Sequence, residues 1–409
     1  MNRIFVIALV ALALAPIARA QEESPVDVTA LEGKVSSLEE QYAETKATVA
    51  GLNRLKLSGY VQARYAWQEC VGNSPSAGCS YNVLEHDQKT GAAKAGNPGQ
   101  DNFFIRRGRF KVVYDADQAQ FVIQMDITPD GLAIKEGYAT LKLPAGWAVD
   151  AGLQLFPFGY DVGVRSSSDL DLLERYRGAG YWLKGEYDVG VTVRGANGPI
   201  NFRGGVFNGN GVQAGGHDND QLKDLIGRLG FDLGMVTGGL SGWYGKTRDY
   251  HVFPNKTYDR NRVGADVQVF LDLLPIGGTA LKGEFIAGKT GIGTNSDAGA
   301  GLGLAGHAWH ATLTQTLGPS FQAAARYEQF VKNNNLAIPG AGKAAVKEID
   351  ELDIAVHYFV GGNYKLSALY AHPMDGKTLT NGAVPSDWTK VTDSVKKTDQ
   401  FVIQAQAKF

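Results

Sequence analysis

The chain has 409 residues, 44% of them hydrophobic and 20% charged, with a formal net charge of −2. That near-neutral balance excludes a polyanion-binding protein on bulk charge, and 52 glycines with 6 Trp, 17 Tyr and 18 Phe exclude a disordered chain. A membrane-spanning helix needs about 20 apolar residues, and the only long uncharged apolar run, from Ile4 to Ala18, falls short of that.

Residues 1–20 carry Arg3, an apolar stretch from Ile4 to Ala15, and Ala18-Arg19-Ala20 in the small-x-small form of a cleavage site. This pattern predicts a secretory signal peptide, and therefore an exported protein. In residues 21–54 the apolar positions Val28, Leu31, Val35, Leu38, Tyr42, Thr45, Val49 and Leu52 recur at spacings of 3 and 4. That is a coiled-coil seam over about four heptads. Helices of this length are marginal alone, so the seam predicts association between copies of the chain. Cys70 and Cys79 then frame a Gly/Ser/Pro stretch. In an exported protein such a pair reads first as a loop disulfide.

From Leu55 onward the period changes to two. Trp147, Val149, Ala151, Leu153 and Leu155 alternate with Ala148, Asp150, Gly152 and Gln154, and Val263, Ala265, Val267, Val269 and Leu271 alternate with Arg262, Gly264, Asp266 and Gln268. Phe321 to Tyr327 and Leu352 to Tyr358 repeat the pattern. Each such segment is a strand with one apolar and one mixed face. About sixteen of them, each of about 9–13 residues, fill residues 55–409, the expected strand length of a membrane barrel.

The connections alternate in length. Short ones fall at Asp115–Gln118, Pro144–Gly146, Ala196–Pro199, Gly234–Gly238, Leu273–Gly277, Gly318–Ser320 and Gly361–Asn363. Long ones fall at 68–101, 157–180, 209–220, 247–258, 289–305, 331–348 and 372–398, with one tight hairpin near Thr128–Gly131 on the long side. Short turns at one end and long loops at the other predict an all-β fold: an antiparallel transmembrane β-barrel of about 16 strands, preceded by a periplasmic coiled-coil helix. Secreted β-sandwiches are the alternative. They would have to bury the Arg, Asp and Gln of the second strand face without partners. The last strand places Phe401, Ile403, Ala405, Ala407 and Phe409 on one face and Gln400, Gln404, Gln406 and Lys408 on the other. A terminal aromatic resembles the signal by which bacterial barrels engage their assembly machinery.

Two nucleotide motifs match by spelling only. Gly283 to Thr290 fits a phosphate-binding loop and Gly301 to Gly306 a dinucleotide fingerprint. Each is embedded in period-two sequence without the helix whose N-terminus that chemistry requires. His217-Asp218-Asn219-Asp220 reads as a solvated loop rather than a cation site, and no nucleophile–base arrangement stands out. The expectation is a protein that is not an enzyme, with no cofactor, no metal and no nucleic-acid partner.

A barrel of about sixteen strands encloses water unless something fills it. The candidate constriction is the 157–180 segment, whose Leu170, Leu172 and Leu173 do not suit free solvent and whose Arg165, Arg175 and Arg177 would reach the axis if it folds inward. Leu57-Ser-Gly-Tyr60-Val-Gln62-Ala-Arg-Tyr65, Phe104-Ile-Arg106-Arg107-Gly-Arg109-Phe110, Lys135-Glu136-Gly-Tyr138-Ala, Gly152-Leu-Gln154-Leu-Phe-Pro157-Phe158-Gly159 and Leu173-Glu174-Arg175 occur in that order. As an ordered series over about residues 55–180 they resemble the phosphate-selective porin O and P family.

The resemblance implies a trimeric, sixteen-stranded outer-membrane porin. It implies that Arg106, Arg107 and Arg175 line the constriction, with Glu136 and Arg165 beside them. Strict alternation allows only one of Arg106 and Arg107 to face the lumen in mid-strand, so the other belongs at an edge, a bulge or under the inward loop. The chain departs from the family pattern at Tyr60, at Val162 and Gly163, and at Lys135, where relatives carry Arg, Lys and Asp. Inward-phase Arg109, Arg194, Arg203, Arg228, Arg262 and Arg326 would extend an anion path, with Asp150, Asp232, Asp266 and Glu328 opposing them. Passive diffusion of small anions, phosphate among them, is the first expectation. A general or sugar-type porin is the second, and a structural envelope protein acting through its coiled coil the third.

Overall fold

The computed structural model describes residues 28–69, 99–183, 185–209, 211–212, 218, 221–248, 257–289, 305–338, 342–375, 378–379, 391–392 and 399–409. The expected signal peptide, Cys70 and Cys79 lie outside the described residues. The chain divides into two units, Met1–Arg54 and Leu55–Phe409. In the first, α1 (Val28–Asn53) is one continuous helix. Its seam residues Val35, Leu38, Tyr42 and Val49 are exposed.

The second unit is a closed antiparallel barrel of sixteen strands. They are β1 (Leu55–Glu69), β2 (Gly99–Asp115), β3 (Ala119–Thr128), β4 (Gly131–Lys142), β5 (Ala148–Leu155), β6 (Tyr187–Asn197), β7 (Ile200–Phe207), β8 (Asp224–Asp232), β9 (Val236–Tyr244), β10 (Arg262–Leu274), β11 (Gly277–Lys289), β12 (Ala305–Leu317), β13 (Phe321–Ile338), β14 (Gly342–Val360), β15 (Tyr364–Asp375) and β16 (Gln400–Lys408). Each strand pairs with its neighbours in sequence, and β1 pairs with β16 to close the ring. Closure leaves no unpaired edge.

The period-two pattern decides which side chains face out. Val263 and Val267, Ile354 and Val356, and Phe401 and Ile403 are exposed, whereas Arg262, Asp266, Asp353, His357, Gln404 and Gln406 on the same strands are buried. The barrel thus inverts an ordinary sandwich, with its aliphatic face outside and its charges inside. Seven tight turns join β2–β3, β4–β5, β6–β7, β8–β9, β10–β11, β12–β13 and β14–β15 at one end. The Gly283–Lys289 stretch is part of β11, not a phosphate loop.

Two details differ from the sequence reading. Residues 331–338 and 342–348 are not loop: β13 and β14 continue through them and pair up to Ile338↔Gly342, with register shifts after Phe330, Val331 and Asn333. A backbone ladder needs no hydrophobic alternation once it rises clear of an apolar surroundings, so a polar run such as Lys332 to Asn335 can hide it. The long connection after β9 also carries a short hairpin, Lys246–Arg248 against Thr257–Asp259.

Candidate functional site

The connection between β5 and β6 turns into the barrel. It includes α2 (Arg177–Trp182) and is the most buried connection among the described residues. Two apolar patches on the lumen wall receive it. Phe156, Phe158, Val162, Tyr176, Trp182 and Leu183 of the segment pack on Phe207, Ile226, Trp243, Ile286, Ala308 and Phe330 of β7–β13. Leu172 and Leu173 pack on Ala324, Ala355, Leu369 and Val402 of β13–β16. Burying such side chains is worth about 1.5–3 kcal/mol each, which explains why this connection leaves solvent.

Glycines allow the close fit. Gly159 has φ +68°, and a β-carbon there would lie 2.6 Å from the Glu284 carboxylate. At Gly178 a β-carbon would meet that of Ala308 at 2.1 Å.

Polar contacts finish the attachment. Glu284 of β11 accepts hydrogen bonds from the amides of Tyr160 and Asp161 and from the Tyr176 hydroxyl, at 2.6, 2.9 and 2.9 Å. Asp171 takes Lys282 Nζ at 2.7 Å, and its carbonyl meets His357 Nε2 at 2.6 Å. Arg177 reaches Glu351 at 2.5 Å.

Glu174 is the hub. Its carboxylate meets Arg64 Nη1 at 2.8 Å, Arg106 Nε at 2.8 Å and Arg107 Nη2 at 2.6 Å. Adjacent arginines converge on one carboxylate because β2 is bulged there: Gln62 opposes Arg107 and Ala63 opposes Ile105, leaving Arg106 as the extra residue. A bulge breaks strict alternation and turns two successive side chains to one side. A second bulge does the same on β4, where Gln124 opposes Glu136 and Met125 opposes Ile134. Lys135 then lies 5.9 Å from the Tyr187 ring centre, and Glu136 accepts from Lys111 Nζ at 2.6 Å. Burial alone would raise the Glu174 carboxyl, but Arg106, Arg107 and Arg64 outweigh it and hold it well below the usual carboxylate range.

The remaining sequence candidates fall into two groups. Arg165 pairs with Asp171 at 2.5 Å, and Arg175 grips both oxygens of Glu186 at 2.8 and 3.0 Å while donating to the Asp161 and Arg165 carbonyls. Arg326 binds Asp353 at 2.6 Å and the Glu174 carbonyl at 2.9 Å. Arg262 stacks 4.1 Å from the Trp243 ring centre, and Arg109 pairs with Asp126 at 3.0 Å and donates to the Tyr187 hydroxyl. These groups hold the segment or its surroundings in place.

Arg194, Arg203 and Arg228 form the second group. They stand directly opposite one another on β6, β7 and β8. Like charges in cross-strand register repel. Asp150 offsets this beneath Arg194 and Arg203, at 2.9 and 3.8 Å, and Asp266 beneath Arg228 at 2.7 Å. The Arg194 and Arg203 side chains stay 42% and 25% exposed while Asp150 is 1% exposed. Lys111, 29% exposed above Glu136 at 13%, repeats the arrangement on β2. The wall there shows cations to solvent and keeps their carboxylates underneath. Lys111 escapes a motif search, and only its inward phase next to Arg107 and Arg109 marks it. The Glu174 hub was legible as a motif member but not as the partner of three arginines.

No protein-family model matches the sequence, and no curated protein matches it. Solved structures do match. An anion-selective porin from Comamonas acidovorans is 13% identical, with 87% of this chain and 99% of that one covered and a TM-score of 0.60. The outer-membrane channel DcaP of Acinetobacter baumannii is 11% identical, covering 87% and 97%, with a TM-score of 0.56. The outer-membrane protein OmpT of Vibrio cholerae is 13% identical, covering 87% and 97%, with a TM-score of 0.54. The fold is that of a porin. At such identities the likeness concerns the barrel and its path, not the residues that select a solute.

Proposed function

We propose that the protein is an outer-membrane porin through which small solutes diffuse passively, with a preference for anions. The apolar outer face supports membrane insertion, because an open-edged sheet cannot survive in hydrocarbon while a closed one can. Among the described residues no helix is long and apolar enough to cross a membrane. The observation that carries the anion preference is the register row Arg194, Arg203 and Arg228, in which Arg194 and Arg203 keep contact with solvent over the buried Asp150 carboxylate while Arg228 is buried against Asp266. Low-dielectric walls focus such a field on the permeating ion, and guanidinium forks suit phosphate-like oxyanions. Phosphate is the finer version of this reading. The ordered motifs shared with the O and P family favour it.

The remaining parts of the proposal concern assembly. Exposed Val35, Leu38, Tyr42 and Val49 on α1 support a periplasmic coiled coil between copies of the chain, and a trimer is what the resemblance to the O and P family implies. Exposed Phe409 at the end of β16 supports recognition by the barrel-assembly machinery. Planar-bilayer recording of the purified protein tests the porin reading. Stable ohmic steps that persist at both polarities are expected. A preparation that inserts as an intact barrel and never conducts would overturn it.

A further inference from the structure

The first and last strands of the barrel, β1 and β16, are its one adjacent pair with no chain connection between them. Their ladder runs from Tyr60↔Lys408 to Gln68↔Gln400. Strand pairs at chain termini are where local opening is cheapest. Three consecutive residues at the tip of the inward segment lie across this seam. On the β1 side, the Tyr60 hydroxyl is 2.6 Å from Ser167 Oγ, Gln62 Nε2 donates to the Ser167 carbonyl at 3.3 Å, and Arg64 Nη2 donates to the Leu173 carbonyl at 2.9 Å. On the β16 side, Gln406 Nε2 donates to the Ser168 carbonyl at 3.1 Å, and the Lys408 ammonium pairs with the Asp169 carboxylate. Side chains also meet across the seam itself: Gln62 donates to Gln406 at 2.7 Å and Arg64 to Gln404 at 2.7 Å.

We infer that the inward segment has a second function: it staples the closure seam from inside the lumen. Its other end is packed on β7–β13, so the tip is tied to the far wall of the barrel. Opening β1 from β16 must therefore either tear Ser167, Ser168 and Asp169 from one strand or pull the segment off its apolar patches. Either route couples a local event to a buried core. The inference is independent of what the pore conducts, since it concerns only which contacts hold the ring shut.

Hydrogen–deuterium exchange on the full chain in lipid nanodiscs tests this. In the Ser167→Ala/Asp169→Ala variant the amides of residues 60–68 and 400–408 should exchange about tenfold faster, the scale of one lost charge-assisted and one lost neutral hydrogen bond. Amides of residues 263–271 and 281–287, on the far wall, should be unchanged. Asp169→Glu, which keeps the carboxylate, should retain protection at the seam. If the double variant folds poorly, Ser167→Ala alone should show the same pattern at smaller amplitude. Unchanged seam exchange, or equal acceleration at the seam and the far wall, would overturn the inference.

Discussion

Two stretches of one lumen wall are built on different plans. Where it receives the inward segment, on β7–β16 and β1, the wall is a berth. It carries apolar patches, and buried charges such as Arg64, Lys282 and Arg326 that bond to groups on the inward segment. At Lys111 of β2, Arg194 of β6 and Arg203 of β7 it is a water-facing surface, where these cations keep contact with solvent above their carboxylates. The comparison teaches that an arginine on an inward phase does not by itself line a pore. What decides its role is whether the opposing group is a loop or water.

Substitutions can break that distinction, and the largest effect should come from the hub. Glu174→Ala leaves Arg64, Arg106 and Arg107 buried around no carboxylate, and removing one partner of a buried ion pair costs about 3–5 kcal/mol. The thermal midpoint of the barrel should fall, and single-channel traces should become larger and noisier as the segment leaves the wall. Traces and midpoint like those of the wild type would mean that the segment does not depend on the hub.

Phe158→Ala should act in the same direction through packing alone. Phe158 is wholly buried against Trp243 at 6.3 Å between ring centres, and such truncations cost about 3 kcal/mol. A stability loss without any change in conductance would place the berth's contribution in the barrel and not in the segment's position.

Effects on the water-facing wall should be smaller and of another kind. Arg203→Ala removes a partly exposed cation whose pairing is worth at most about 1 kcal/mol, so stability should barely move. The anion-to-cation permeability ratio should fall by about two- to threefold, the Boltzmann equivalent of a few tenths of a kcal/mol. A ratio unchanged by this substitution would move the selectivity elsewhere.

Acidification should sharpen the contrast without breaking it. The Glu174 carboxyl is depressed, so its stabilising effect is fully present above the unfolded value of about 4.3 and is lost only as pH falls through its lower folded value. At pH 5 the wild-type protein should not reproduce the Glu174→Ala trace. A match between the two at pH 5 would mean that the carboxylate is already protonated there.

The barrel was largely legible in the sequence, because alternation and turn spacing are local properties that sixteen strands repeat. Leu170, Leu172 and Leu173 betrayed the inward segment by their chemistry. What remained hidden was pairwise. Arg106 and Arg107 share a side of β2 only because a residue is inserted opposite Gln62 and Ala63, and no local pattern marks a bulge. Arg165 and Arg175 look like pore cations in sequence, yet the fold of the connection brings a carboxylate close to each, and Arg326 finds Asp353 directly opposite on the neighbouring strand. The pairing of residues 331–338 with 342–348 was missed for the converse reason, since this backbone pairs without a hydrophobic pattern.

The most direct test of the account is the reversal potential of the purified protein in a planar bilayer under a KCl gradient, compared with Arg194→Ala/Arg203→Ala. The arrangement of exposed guanidiniums over buried carboxylates predicts a chloride-directed potential in the wild type that moves toward zero in the double variant. A near-zero or potassium-directed potential in the wild type, or one that the double variant leaves unchanged, would contradict it.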